Sequence, residues 1–143
     1  MKSVAQLLRV KGHEVLFVSP EISVFEALRV MADRNVGALL VVEEGRLAGI
    51  FSERDYARKV VLHGKASREG PVREIMTSNV LYVRPEQTID ECMALMTDKR
   101  VRHLPVLEEG RLVGVISIGD VVKAIIDEQG FMIEQLQSYI TGR

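Results

Sequence analysis

Two serines in this chain each stand three residues ahead of an aspartate, and each follows an apolar run that begins with glycine. Ser52-Glu53-Arg54-Asp55 follows Gly49-Ile50-Phe51, and Ser117-Ile118-Gly119-Asp120 follows Gly114-Val115-Ile116. A hydroxyl at a helix start can donate to a phosphate oxygen, and the free N–H groups and positive dipole end there suit the same anion. A carboxylate on the first turn can accept two hydrogen bonds from a ribose 2′,3′-diol. Ile50 and Val115, two positions before each serine, are branched apolar residues that can lie against a purine face. Strand, hydroxyl, carboxylate and helix terminus together describe a nucleoside-phosphate site. The same residues also spell a capping box, worth about 1 kcal/mol to a helix and needing no ligand.

The residues around the two motifs differ. The first helix begins Glu53-Arg54-Asp55 and continues to Arg58-Lys59, whereas the second has Ile118-Gly119-Asp120 with Lys123 nearby. Arg54 can offer a forked guanidinium to phosphate and Gly119 cannot. The bias reverses at the strand entering each hairpin, which reads Val36-Gly37-Ala38 first and Val101-Arg102-His103 second. Two chemically unequal sites are therefore expected. The alternatives are that Arg54, Arg58 and Lys59 form a solvated helix face, that Arg102 covers apolar surface with its stem, and that His103 is a satisfied buried histidine.

Other chemistries fit less well. A hydrolytic triad of Ser52, Asp55 and His103 would put two members on one helical turn, and the first copy has Ala38 in place of the histidine. His13, His63, His103 and Cys92 are scattered without ligand spacing, so no metal site is expected, and Met31, Met76, Met93 and Met96 read as core filler. There is no phosphate-binding loop of the GxxxxGKS kind. No catalytic residue is assigned. With 143 residues, 47% hydrophobic and 27% charged, and a formal charge of −1, the composition is globular and shows no global field for nucleic acid or membrane. No apolar run approaches the roughly 20 residues of a membrane helix, and the opening MKSVAQLLRVKG is too polar for a secretory signal. A single cysteine fits a reducing compartment, so a cytoplasmic protein is expected.

The elements that position the motifs follow from an internal repeat. Val18–Val61 aligns with Val83–Ile126 without a gap, matching Pro20 with Pro85, Met31 with Met96, Gly49 with Gly114 and Asp55 with Asp120. A shorter match relates Ser3–Leu8 to Pro71–Met76. Each unit reads as a strand such as Glu14–Val18, a helix behind a Ser23-x-x-Glu26 or Thr88-x-x-Glu91 capping box, a β-hairpin around Glu44-Gly45 or Glu109-Gly110, and a helix opened by the Ser-x-x-Asp motif. The expected fold is mixed α/β: two α-β-α-β-β-α repeats at 3–63 and 71–128, joined by a polar linker at 64–70 and paired across a pseudo-twofold. A C-terminal helix at 129–143 places Met132, Leu136, Tyr139 and Ile140 on one stripe, for its own domain or for a partner in a homodimer.

GIFSERD and GVISIGD, set in duplicated units that also carry VRHLPV, resemble a pair of cystathionine-β-synthase (CBS) domains, the Bateman module. The resemblance covers residues 3–128. It implies a disc-like pair of repeats whose two clefts take adenosyl ligands: AMP, ADP, ATP, S-adenosylmethionine or NAD. It further implies that Asp55 and Asp120 hold ribose hydroxyls, that Ser52 and Ser117 lie near phosphate or ribose, that Ile50 and Val115 contact adenine, and that the basic pair Arg102-His103 faces phosphate. Modules of this kind commonly form dimers. The expectation is a regulatory adenine-nucleotide binder, with AMP favoured and ADP, ATP or NAD as alternatives. The rival expectation is an interaction module acting on a protein target independently of nucleotide.

Overall fold

The structure is a computed structural model that describes residues 2–64 and 69–141. Residues 65–68 of the expected linker lie outside the described residues. The chain divides into two compact units that do not coincide with the repeats. One contains Val15–Leu81 with the hairpin turn Glu109–Leu112; the other contains the N-terminal segment through Glu14, Tyr82–Glu108 and the chain from Val113 onward. The opening segment of the first repeat is thus built into the unit that holds most of the second.

In the first of these units, β1 (Phe17–Val18) pairs parallel to β2 (Ala38–Glu43), and β2 pairs antiparallel to β3 (Arg46–Ser52). The expected strand Glu14–Val18 shrinks to its last two residues. Glu44 and Gly45 both take positive φ, 53° and 77°, the pair of left-handed residues that a tight two-residue hairpin turn requires. Helix α2 (Val24–Arg34) buries Val24, Ala27 and Met31 against Leu39, Val41 and Phe51. Its first turn is half of the expected capping box. Ser23 Oγ accepts from Glu26 N at 3.0 Å, but the Glu26 carboxylate turns outward to Arg29. Helix α3 (Glu53–Asp55) widens at once into a π-helical stretch, Tyr56–Leu62. Val72 and Ile75, on and just after a single 3-10 turn (Val72–Glu74), complete the core where a longer helix was expected.

In the other unit, α1 (Val4–Lys11) opens with a true capping box between Ser3 and Gln6 and buries Val4, Leu7 and Leu8. The strand expected near Val83 is reduced to one parallel bridge, Val83 to Val106. Helix α4 (Ile89–Lys99) sets Ile89, Cys92 and Met96 in the core. Thr88 Oγ1 caps Glu91 N at 3.1 Å, while the Glu91 carboxylate accepts from Gln87 rather than bonding back. Strands β4 (His103–Glu108) and β5 (Arg111–Ser117) pair as a hairpin. Helix α5 runs unbroken from Ile118 to Thr141, so the helix expected as a separate element after residue 129 continues this one. Its opening turns bury Val121 and Ala124, whereas Phe131, Met132, Ile133, Leu136, Tyr139 and Ile140 are exposed. Among the described residues no buried side-chain polar atom lacks a hydrogen bond.

Candidate functional site

Both Ser-x-x-Asp motifs sit where a hairpin's second strand runs into a helix, and both form a capping box. Asp55 N donates to Ser52 Oγ at 3.1 Å, and Ser52 N returns to Asp55 Oδ2 at 3.0 Å. Asp120 N donates to Ser117 Oγ at 3.1 Å, and Ser117 N returns to Asp120 Oδ2 at 2.8 Å. The helix starts are also tied to the hairpins. Glu53 N donates to Gly37 O at 3.0 Å and Ile118 N to Arg102 O at 2.8 Å. The expectation of freely available N–H groups for phosphate is therefore corrected. At each helix start the first and third are satisfied from within, because the carbonyl ahead of the hairpin takes the first and the serine hydroxyl the third.

What lies over each carboxylate differs. At the first junction Asp55 Oδ1 accepts from Thr77 Oγ1 at 3.1 Å and lies 3.2 Å from Lys59 Nζ, while Ser52 Oγ also reaches Oδ2 at 3.0 Å. Lys59 comes from the same helix, four residues on, and donates as well to Ile75 O at 2.9 Å. The Asp55 side chain is only 12% exposed. Ile50, half-buried on β3, exchanges both main-chain hydrogen bonds with Thr77, at 2.9 and 2.8 Å. Gly49 makes this approach possible, since a Cβ there would lie 2.7 Å from Thr77 O. Arg54 is exposed and makes no ion pair among the described residues.

At the second junction the equivalent cover comes from the far end of the chain. Lys11, the last residue of α1, donates to Asp120 Oδ2 at 2.6 Å and to Val115 O at 2.6 Å. His13 Nδ1 lies 2.9 Å from Val113 O. The edge of β3 is thus closed by main chain and that of β5 by side-chain heads. Gly114 again permits close passage, here of Leu8, whose methyl carbons would lie 2.8 and 2.9 Å from an added Cβ. Asp120 is 27% exposed. Desolvation works against its charge, but the Lys11 and Ser117 hydrogen bonds prevail and hold the carboxyl below its ordinary value. His103, exposed in overall area at the start of β4, is held below the usual imidazole value. Crowding of its ring acts first, then the cations of Lys11 and Arg102, against a pull from Asp120.

Each set of expected residues therefore gathers in its own unit: Ile50, Ser52, Arg54 and Asp55 in one, and Arg102, His103, Val115, Ser117 and Asp120 in the other. Lys59, Thr77 and Lys11 are additions. Lys59 was readable as an i, i+4 partner of Asp55, and Thr77 follows the segment that repeats Ser3–Leu8. Lys11 carries no local signal. A cleft of about 460 Å³ lies against Gly37, Glu53 and Tyr56, and Asp55 is not among the residues that line it. One of about 250 Å³, whose charged lining is Lys2, Lys11, Lys123, Asp120 and Asp127, lies at the second junction. The carboxylates, with their positioned donors, define the candidate sites better than cleft size does. Among the described residues no cluster of His, Cys, Asp and Glu has metal-binding geometry.

The family model for the CBS domain matches residues 9–62 and 72–127, one match on each repeat. The chain belongs to the CBS-domain family. This CBS pair is 38% identical to the CBS domain-containing protein CBSX3, mitochondrial, of Arabidopsis thaliana, over 98% of this chain and 72% of that one. It is 51% identical to a protein with CBS domains from Burkholderia ambifaria whose structure is solved, with a TM-score of 0.80 over 90% of this chain and 96% of that one. The CBS domain pair of protein MJ0100, crystallised with 5′-methylthioadenosine and S-adenosyl-L-methionine, shares the fold at a TM-score of 0.73 and 23% identity, over 90% of this chain and 98% of that one. CBS pairs are regulatory modules, and no helix among the described residues is long and apolar enough to cross a membrane.

Proposed function

We propose that this CBS pair is a non-catalytic sensor that binds an adenosyl ligand at its strand–helix junctions. The favoured ligand is AMP, with ADP, ATP and NAD as alternatives. In this reading Asp55 and Asp120 take ribose hydroxyls, Ser52 and Ser117 the adjoining ribose or phosphate oxygens, and Ile50 and Val115 the adenine face. Arg54, Arg102 and His103 face phosphate, which favours a nucleotide over S-adenosylmethionine. The carrying observation is the junction built twice, each time with a reciprocal Ser–Asp box beside a half-buried branched residue. The adenosyl compounds bound by MJ0100, a chain of the same fold, support it. We place this sensing in the cytoplasm, on the single cysteine alone.

Isothermal titration of the chain with AMP, ADP, ATP, NAD⁺ and S-adenosylmethionine tests the reading. Saturable binding of at least one, weakened by Asp55→Ala or Asp120→Ala, is the expected result. No binding by any of them overturns it.

A second reading has its own observation. The apolar stripe of α5 from Phe131 to Ile140 stands exposed, and an exposed face of this kind marks an interaction surface. On this reading two copies pair through α5, or a protein target docks there, independently of nucleotide. Sedimentation of the chain and of Leu136→Glu distinguishes them: a dimer dissociated by the substitution supports self-pairing, and a monomer in both excludes it.

A further inference from the structure

The second junction carries more positive charge than its own carboxylate requires. Lys11 reaches Asp120 from the N-terminal segment, Arg102 and His103 lie within electrostatic reach, and Lys2 and Lys123 line the adjoining cleft with one further acid, Asp127. The first junction has no such surplus at the matching strand start, where Gly37 and Ala38 replace Arg102 and His103. Its lysine, Lys59, also differs in kind. It sits on the same helix as Asp55, and its second bond goes to Ile75 O, beside a core side chain. Lys11 holds Asp120 and Val115 O only by the tip of a flexible, partly exposed side chain.

We propose that Lys11 is the phosphate-selecting residue of the Asp120 junction. This rests on the nucleotide reading above. A ribose diol that takes Asp120 displaces the ammonium from Oδ2, and the released cation turns to the ligand's phosphate alongside Arg102 and His103. The ion pair seen here is then the resting position of a group that moves from one anion to another. The compensation matters because a partly buried ammonium that gives up its carboxylate is costly, and a ligand without phosphate leaves Lys11 with no anionic partner at the junction. The Asp120 junction therefore prefers a nucleoside phosphate to the bare nucleoside through Lys11, and the Asp55 junction, whose Lys59 is held on the helix of Asp55 itself, lacks that exchange.

The test is calorimetric titration of the intact chain with adenosine and with AMP, in the parent, in Lys11→Met and in Asp120→Asn, with folding of each variant checked by its melting curve. Lys11→Met keeps the stem and removes the charge; Asp120→Asn keeps the shape of the cap. A hydrogen bond to a charged group, at about 1.5–3 kcal/mol, corresponds to tenfold or more, so the parent binds AMP at least about tenfold tighter than adenosine. That gap closes in Lys11→Met, with adenosine bound no more weakly, and persists in Asp120→Asn, where Lys11 is retained and both probes bind more weakly because the ribose acceptor is impaired. A gap unchanged in Lys11→Met overturns the proposal while leaving nucleotide binding intact. So does a variant that binds both probes more tightly, because Lys11 is then a competitor for Asp120. Binding of neither probe, nor of the other adenosyl ligands, by any of the three proteins overturns both readings.

Discussion

The two junctions repeat the same capping box and differ in what covers it. At Asp55 the cover is local and largely main chain: Thr77 pairs with Ile50 through the backbone, and Lys59 closes from one turn away on the same helix. At Asp120 the cover is made by the side chains of Lys11 and His13, brought from the N-terminal segment. The duplication has kept the parts that fold the hairpin and start the helix, and has let the third partner diverge. A carboxylate that is 12% exposed and bonded on both oxygens is first a structural element. One that is 27% exposed, with a removable cation on it, is better placed to exchange partners.

The largest expected effect that sharpens this comparison comes from the paired glycines. Gly49→Ala would drive a Cβ into the Thr77 carbonyl and the Met76 sulfur, whereas Gly114→Ala meets only the methyl ends of Leu8. Overpacking costs about 1–3 kcal/mol, so denaturant unfolding should place Gly49→Ala near the upper end and Gly114→Ala near the lower. Equal costs would mean that the two strand edges are equally closed.

Next in size are the carboxylates. Asp55→Asn forfeits the Lys59 pair and misfits the donors from Thr77 and Ser52, at about 2 kcal/mol. Asp120→Asn loses a partly exposed pair to Lys11 and should cost about 1 kcal/mol or less. Chemical denaturation of both variants measures the order, and the reverse order would contradict the structural role given to Asp55.

The effect of pH follows from the Lys11–Asp120 pair. The folded value of Asp120 is depressed, so the pair contributes stability above the unfolded carboxylate value of about 3.9 and loses it as pH falls through the folded one. The stability difference between the parent and Lys11→Met should therefore be constant near neutrality and shrink below about pH 4. His103 moves the same way, because its folded value is also lowered: it favours the folded state above about pH 6.5 and less as the ring protonates. Proton NMR titration should find this value higher in Lys11→Met, since one of the cations holding it down is gone.

The smallest effect separates the helices that precede each hairpin. Cys92 occupies the place of Ala27, fully buried, and burial first, then Glu91, pushes its thiol up to about 11. Native protein should react with a thiol reagent only as fast as it unfolds, and fast labelling would mean that α4 opens locally.

Much of the fold was legible because the repeat doubled every signal. The Glu-Glu-Gly-Arg turns, the α2 and α4 stripes and the Ser-x-x-Asp boxes all follow from spacing within a few residues. Sequence was less informative where tertiary pairing sets the outcome. The strand expected at Glu14–Val18 survives over two residues and its copy near Val83 as one bridge, since a short strand persists only where a neighbour supplies partners. Gly130 gave no sign that α5 would run through it. Lys11 was invisible, because its partner lies across the unit and nothing in MKSVAQLLRVKG points to Asp120.

The most direct measurement for the central claim is the melting temperature of the chain against saturating AMP, ADP, ATP, NAD⁺ and S-adenosylmethionine, with Asp55→Ala and Asp120→Ala run beside it. A nucleotide at 100 times its Kd should add about 2.7 kcal/mol, a rise of several degrees, diminished in the variant whose junction holds it. An unchanged melting temperature across all five ligands would contradict the sensor, leaving the two boxes as helix caps and the α5 stripe as the functional surface.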